Sequence, residues 1–498
     1  MSRTLRVLTF LGLSLLFATR LARADQPAAA PKRLTLELTT LGLMREKGLI
    51  TQAEYDSALH DLADSVGGQA ADSLTLVLGR WSTTLYGFVE ADHIYDSTQS
   101  FNDLAGNALV ARPTGYTGNN GRFTFGVRNS RIGFRLRAPE WHHVRASAML
   151  EMDFLGNQQP IGYDQPFQIS EGAFFTNPTF RIRHFNLKVE TPIVDVLIGQ
   201  YWQLFGWQSL YHPNTVEIQG VPGQIYSRTP QIRLSKTIKT APVTIEFAAA
   251  MMRPPQRDSG TPEGQGGVRL ALNRLVGRTT AGATGTSLQP LSIAVTGDIR
   301  QFNLSEFSAK PKNSVSKTGW AVAADAFIPI VPARHAHSTG AISVNAEYGY
   351  GYGTADLYTG LNGGVNKFPA LPNPMMTTPA PVYTPNVDPS LVVYDADGTA
   401  HLINWQSALV GLQWYFPRLH DRMWISSNYS HLESNNAKLH APAGTIARSS
   451  EDWVDANLFG DVTPAVRLGL EYAYFADHYS DGMDAVNHRV QFSAFYLF

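Results

Sequence analysis

The 498-residue chain has no cysteine, which rules out disulfides and thiolate metal sites alike. It also lacks long apolar runs. Past its N-terminus no segment approaches the roughly eighteen uninterrupted apolar residues that a membrane-spanning helix needs. Net charge is nearly absent, at -1, so any charge selectivity must come from local placement rather than overall balance. No concentrated basic patch suggests nucleic-acid binding. No G-x-S-x-G, P-loop or zinc signature is present, and nothing calls for a cofactor.

What is present begins at the C-terminus. Val490, Phe492, Ala494, Tyr496 and Phe498 share one parity, and Arg489, Gln491 and Ser493 the other. A strand repeats its side-chain direction every second residue, so this segment has one apolar and one polar face. A chain that ends on such a strand, with an aromatic terminus, fits a bacterial outer-membrane β-barrel. The opposite end gives an envelope address. Met1–Arg6 is basic, Val7–Ala18 is apolar, and Ala22, Arg23 and Ala24 form a small-x-small cleavage pattern. Residues 1–24 thus read as a signal peptide, with the mature chain starting at Asp25.

Residues 25–79 read as a periplasmic helical and linker segment. Leu34, Leu38 and Leu41 form one stripe, closed by Gly48, while Thr51 and Glu54 match a capping box before Tyr55, Leu59, Leu62 and Val66. The segment is either a loose helical hairpin or an assembly element.

From residue 80 to 498 the period becomes two. It predicts sixteen strands, near 81–96, 126–138, 142–155, 179–190, 193–203, 227–238, 242–252, 266–274, 289–302, 318–330, 339–353, 402–416, 421–431, 450–461, 464–478 and 486–498. An even count suits a barrel whose two ends lie on one side. Long connectors (97–125, 156–178, 204–226, 354–401) alternate with short ones (139–141, 191–192, 239–241, 417–420, 462–463). That segregation is what tight periplasmic turns and extended outer loops produce. Only the connector at 275–288 is longer than the alternation wants. Mean hydropathy is -0.15 despite 20 tyrosines and 9 tryptophans, as expected when alternate residues line water. Trp141, Trp202, Trp320, Tyr415, Phe416, Trp424 and Tyr496 fall near strand ends, where interfacial girdles form. The fold class is therefore an all-β, sixteen-stranded antiparallel transmembrane barrel behind a short helical segment, in contact with outer-membrane lipid.

The lumen is predicted to carry arginines. Arg131, Arg135 and Arg137 share a parity on the second strand, Arg145 lies on the polar face of the third, and Arg181 and Arg183 share a face of the fourth. Arg233 and Arg269 occupy polar parities further round. Guanidinium groups never deprotonate and can hold a carboxylate bidentately, so such a row favours anions over cations. In the alternative, Glu90, Asp92, Glu151 and Asp153 pair with these arginines and merely brace the wall. On the fourth strand Phe185, Leu187 and Val189 share parity with Arg181 and Arg183, a conflict that a bulge would resolve. The segment 204–226, with Phe205, Trp207, Tyr211 and His212, is the preferred constriction loop; the proline-rich 369–389 is another candidate. His335 and His337 form a weak metal candidate. Asp92–His93 and Asp477–His478 cannot act as dyads, because adjacent strand residues face opposite sides.

Residues 84–240 resemble the DcaP-type trimeric outer-membrane channels, which are related in architecture to phosphate-selective porins. The resemblance rests on Tyr86–Glu90 (YGFVE), Asn129–Phe134 (NSRIGF), Leu150–Phe154 (LEMDF), Phe180–His184 (FRIRH), Ile198–Trp202 (IGQYW) and Arg228–Arg233 (RTPQIR). The chain departs from that pattern at Phe185, Asn186 and Tyr201. The resemblance implies a homotrimer passing small anionic solutes such as dicarboxylates, without catalysis, and makes the 34–66 helices an assembly element. Competing classes are a barrel enzyme acting on envelope lipid or protein, and a closed structural barrel.

Overall fold

The computed structural model describes residues 44–45, 74–78, 80–105, 109–156, 178–217, 219–256, 259–281, 285–308, 311–333, 340–359, 361, 387–395, 397–417, 419, 422–441 and 446–498. The signal peptide, the helices at 34–66 apart from helical Met44 and Arg45, His335, His337 and residues 369–386 lie outside the described residues.

Sixteen antiparallel strands close into a barrel. In chain order they are β1 (Trp81–Asp96), β2 (Arg122–Gly126 resumed as Arg131–Arg137), β3 (Arg145–Gly156), β4 (Thr179–Glu190), β5 (Asp195–Trp202) and β6 (Arg228–Lys239). They continue as β7 (Val243–Met252), β8 (Glu263–Thr279), β9 (Ser287–Ser305), β10 (Ser314–Val331) and β11 (Ile342–Tyr352). The last five are β12 (Asn404–Tyr415), β13 (Met423–Glu433), β14 (Arg448–Thr463), β15 (Val466–Tyr479) and β16 (Asp484–Leu497). All sixteen predicted strands are present. The connector after β8 is only 280–286, which removes the one discrepancy in loop length. Long and short connectors alternate around most of the barrel, but 332–341 on the short-turn side is longer than 306–313 before it, and the last outer loop, 480–483, is itself short. The tight turns follow from sequence: Thr191 Oγ1 accepts from the Val194 amide (3.0 Å), and Thr240 Oγ1 from that of Val243 (3.2 Å).

Closure joins the chain ends. β16 pairs with β1 from Leu497 opposite Phe88 to Arg489 opposite Asp96, and Phe498 exchanges backbone bonds with Gly87 at 2.9 and 3.1 Å. Where the C-terminus stops, a further strand, Leu74–Leu78, pairs with Trp81–Leu85 and continues along the same edge of β1. The sequence reading placed a helical or linker segment there. The strand satisfies β1 amides that the C-terminus does not reach, leaving less open edge.

The two faces differ as expected. Along β9, Ile293, Val295 and Ile299 are 52–59% exposed, while Ala294, Thr296, Asp298 and Arg300 between them are at most 4% exposed. Apolar rows on the outside continue through Phe185, Ile232, Phe247, Val322, Val410 and Tyr496. Water would not tolerate such a belt; bilayer hydrocarbon does. Toward the long-loop rim the outside turns polar: Asp452 contacts His431 (2.9 Å) and His478 (3.1 Å), and His478 contacts Asp484 (2.7 Å). Of the predicted girdle, Trp141, Trp320 and Tyr496 are exposed, but Tyr415 and Trp424 are fully buried inside the barrel. Trp424 stacks there on Phe459 (5.1 Å, 8°). Both occupy inward parities, which overrides their position near strand ends.

Two bulges re-aim the wall. β1 faces Gly126 from Asp92 and Arg131 from Phe88, so β2 carries one residue more than β1 between those pairs. On β4 the register slips between Glu151 opposite His184 and Met152 opposite Ile182. Arg183 therefore turns inward beside His184, while Phe185 and Leu187 stay outside at 52% and 45% exposure. This bulge resolves the parity conflict on the fourth strand.

Candidate functional site

The connector 203–227 does not cap the barrel; it runs inside it. The Phe205 amide donates to Gln265 Oε1 (2.8 Å), that of Gly206 to Thr296 Oγ1 (2.9 Å), that of Val216 to Asn457 Oδ1 (2.9 Å) and that of Ile225 to Glu347 Oε1 (2.7 Å). Tyr211 donates to Ser292 (2.9 Å), and Trp424 donates to Asn214 Oδ1 (2.8 Å). The segment thus touches β8, β9, β11, β13 and β14. Where this irregular backbone is buried against the wall its amides need acceptors, and inward Gln, Asn, Thr and Glu residues supply them. Gly206 (φ +73°) and Gly223 (φ +81°) take left-handed turns along it. A Cβ at Gly223 would also fall on the Ser430 hydroxyl, so the crossing is close. Phe205, Trp207 and Tyr211 belong to this segment, but all three are buried in wall contacts at its root rather than lining an aperture.

Opposite this segment, β1 to β6 carry a guanidinium cluster. Arg181 grips Asp153 bidentately (3.0 and 2.6 Å), and Arg183 reaches Glu151 (2.8 Å) and Asp153 (3.1 Å). Arg131 lies 3.6 Å from Glu151, which also accepts from the Tyr86 hydroxyl (2.9 Å). Arg228 makes no direct ion pair among the described residues, with Asp153 its nearest opposite charge, and lies 4.8 Å over Trp202 and 5.4 Å over Tyr226. Gln219 Oε1 accepts from Arg181 (3.0 Å) and Arg183 (3.2 Å), tying the inner segment to this wall. Four guanidiniums thus meet two carboxylates here, leaving two positive charges in excess.

That field acts on the inner segment. Burial alone would raise the Tyr226 phenol, but Arg183, Arg228 and Arg131 pull it down to about 8. Burial, reinforced by Arg183, Arg131 and Arg228, pushes His212 down to about 3, so it stays neutral.

The remaining predicted arginines scatter. Arg135 packs 4.1 Å over Tyr86, and Arg137 is exposed at the short-turn end. Arg145 faces Glu190 at 3.7 Å, and Arg269 faces Glu246 at 3.4 Å. Arg233 is buried, donating to Gln231 (2.9 Å) and the Trp202 carbonyl (2.5 Å), and it packs 5.6 Å from Tyr201. Glu151 and Asp153 pair with the arginines as anticipated. Glu90 and Asp92 point inward but pair with none of them: Asp92 accepts from Asn129, Gln491 and Ser493, and the Glu90 carboxyl lies against that of Asp92. Sequence reasoning missed Arg228, which precedes its strand's regular alternation.

The far wall carries carboxylates, and the inner segment covers two of them. Glu347 accepts from the Ile225 amide (2.7 Å), and Glu471 from Thr215 (2.6 Å) and the Glu217 amide (2.9 Å). Asp455 is occupied by Asn428, Trp453 and Asn457. Glu217 itself meets Arg489 at 3.4 Å, and burial pushes its carboxyl up to about 8 despite that arginine. The two suspect dyads separate by face: Asp92 and Asp477 are buried inside, while His93 and His478 lie on the outer parity.

No protein-family model matches the chain, and no curated protein matches it in sequence. Among solved structures, the outer membrane channel DcaP of Acinetobacter baumannii superposes with a TM-score of 0.58 at 16% identity, over 85% of this chain and 99% of that one. This is the fold of an outer-membrane channel. The closed barrel and its apolar belt place it in the bacterial outer membrane. An anion-selective porin from Comamonas acidovorans (TM-score 0.45, 10% identity, 84% of this chain and 100% of that one) is more distant. So is OprB of Pseudomonas putida (0.43, 11%, 83% and 94%). Within the DcaP-like barrel, the six quoted runs supply Tyr86, Arg131, Glu151, Asp153, Arg181, Arg183, Trp202 and Arg228, which together form the guanidinium wall.

Proposed function

We propose that this barrel is a homotrimeric porin through which small anionic solutes, of dicarboxylate type, diffuse passively. The observation that carries the reading is the unequal treatment of charge in the lumen. Four guanidiniums meet two carboxylates in the Arg131, Arg181, Arg183 and Arg228 cluster, and Arg131, Arg181 and Arg228 keep partial exposure. On the far wall Glu347 and Glu471 are covered by amides and a hydroxyl of the 203–227 segment. An anion in the lumen therefore meets several moderate cationic sites in sequence, which draws it in without trapping it. In this reading Arg181 and Arg183 brace the wall as well as charging it.

Reversal potentials in planar bilayers under a potassium chloride gradient test this. Chloride preference is the expected result, with conductance blocked in a graded way by succinate. Cation preference would overturn the electrostatic argument. A barrel that folds but conducts nothing would favour the closed or enzymatic classes. Light scattering of the detergent-solubilised protein tests the trimer.

A further inference from the structure

The long-loop rim holds a donor set unrelated to the guanidinium wall. In the β11–β12 connector, Val392–Tyr394 and Ala400–Leu402 form a short antiparallel ladder. The turn between them places Asp395 and His401 side by side: the Asp395 amide donates to the Thr399 carbonyl (2.9 Å), and Gly398 takes φ +87°. His440 arrives from another connector, 434–447. Asn436 locks that connector onto the first: it accepts from the Asn404 amide (2.8 Å), donates to the Leu402 carbonyl (3.0 Å), and its carbonyl accepts from the His440 amide (3.2 Å). All three side chains therefore stand on backbone fixed by its own hydrogen bonds.

The carboxylate addresses both rings. Asp395 Oδ1 lies 3.0 Å from His440 Nδ1, and Oδ2 lies 3.0 Å from His401 Nε2. The imidazoles stack at 4.1 Å and 15°, and one donor atom from each residue falls within 4.8 Å of the others. An ion about 2.0–2.2 Å from each ligand holds its donors roughly 3–3.6 Å apart. Both nitrogen–oxygen pairs already have such a spacing, and side-chain rotations that unstack the imidazoles bring the third donor, now within 4.8 Å, onto the same ion. Side-chain exposures of 34%, 33% and 17% for Asp395, His401 and His440 leave the cluster reachable from outside.

We propose that Asp395, His401 and His440 bind a divalent first-row transition-metal ion of the zinc class, clamping the β11–β12 connector to the β13–β14 connector at the mouth. Two imidazoles and one carboxylate suit such an ion rather than calcium or magnesium, which take oxygen ligands. Three protein ligands leave a coordination position to water.

The test titrates zinc into the purified full-length protein in detergent against a fluorescent chelator. Wild type is expected to hold one ion per chain in a site that Asp395→Asn or His440→Ala weakens at least tenfold. Heat-modifiable gel mobility shows that each variant keeps its barrel. Equal affinity and stoichiometry in wild type and the His401→Ala/His440→Ala double variant would overturn the proposal. X-ray absorption on zinc-loaded wild type gives an answer independent of any variant. A first shell with two imidazoles supports the site, and a shell without them refutes it.

Discussion

Arg228 offers the sharpest test of the lumen electrostatics, because it makes no direct ion pair among the described residues and Asp153 nearby keeps Arg181 and Arg183. It lies over Trp202 and Tyr226 and remains partly exposed. Arg228→Gln removes one of the two excess positive charges on the wall. At about 5 Å a unit charge contributes about 0.8 kcal/mol to a passing monovalent ion at the dielectric of water, and about 3 kcal/mol at an effective value near 20. A water-filled passage lies nearer the first figure, and salt screens it further. Since about 1.4 kcal/mol is tenfold, chloride preference should fall roughly two- to fourfold at low ionic strength. Arg228→Glu changes the charge by two units and should about double the free-energy effect. The assay is the reversal potential across a planar bilayer, repeated at high salt, where the difference should shrink. A variant that folds and conducts with an unchanged reversal potential at low salt would refute the assignment of selectivity to this wall.

Other outcomes follow from the same geometry. Arg183→Gln should cost about 3–5 kcal/mol of stability, seen in urea unfolding from lipid vesicles, because Glu151 and Asp153 lose a buried partner. Arg228→Gln should cost far less in that assay. Gly223→Val should unseat the 203–227 segment, since the left-handed turn and the Ser430 hydroxyl both reject a side chain; single-channel conductance should rise. Anion preference should decline between pH 7 and 9 as the Tyr226 phenol, held near 8, becomes negative; Tyr226→Phe should flatten that profile. Glu217 binds its proton more tightly when the segment is seated, at about 8 against an ordinary 4.5. Seating is thus strongest below 4.5 and weakens as pH rises toward 8, so current noise should grow with pH in wild type and less in Glu217→Gln.

Much of the barrel was legible because a strand that separates hydrocarbon from water must alternate, and alternation needs no knowledge of neighbours. The faces of β1, β3, β9 and β16 follow directly from parity. Where parity failed, an extra residue had entered the ladder. At Arg183 the bulge turns two consecutive side chains inward, and only the register with β3 reveals it. Trp424 and Tyr415 sit near strand ends, but parity sends them inside, so strand-end position was the weaker guide. Arg228 passed unnoticed because it lies where the inner segment joins its strand.

Sequence alone determined the number of barrel strands, most of the side chains on the outer face, and that arginines enter the lumen, since each depends on period and residue type within one segment. Which arginines stay paired, which carboxylates are covered and where the 203–227 chain runs depended on the closed barrel. Those outcomes need residues hundreds of positions apart to meet: Glu217 finds Arg489, and Ile225 finds Glu347. A hydrogen bond or an ion pair is decided by distance in space, and the barrel's circumference sets that distance.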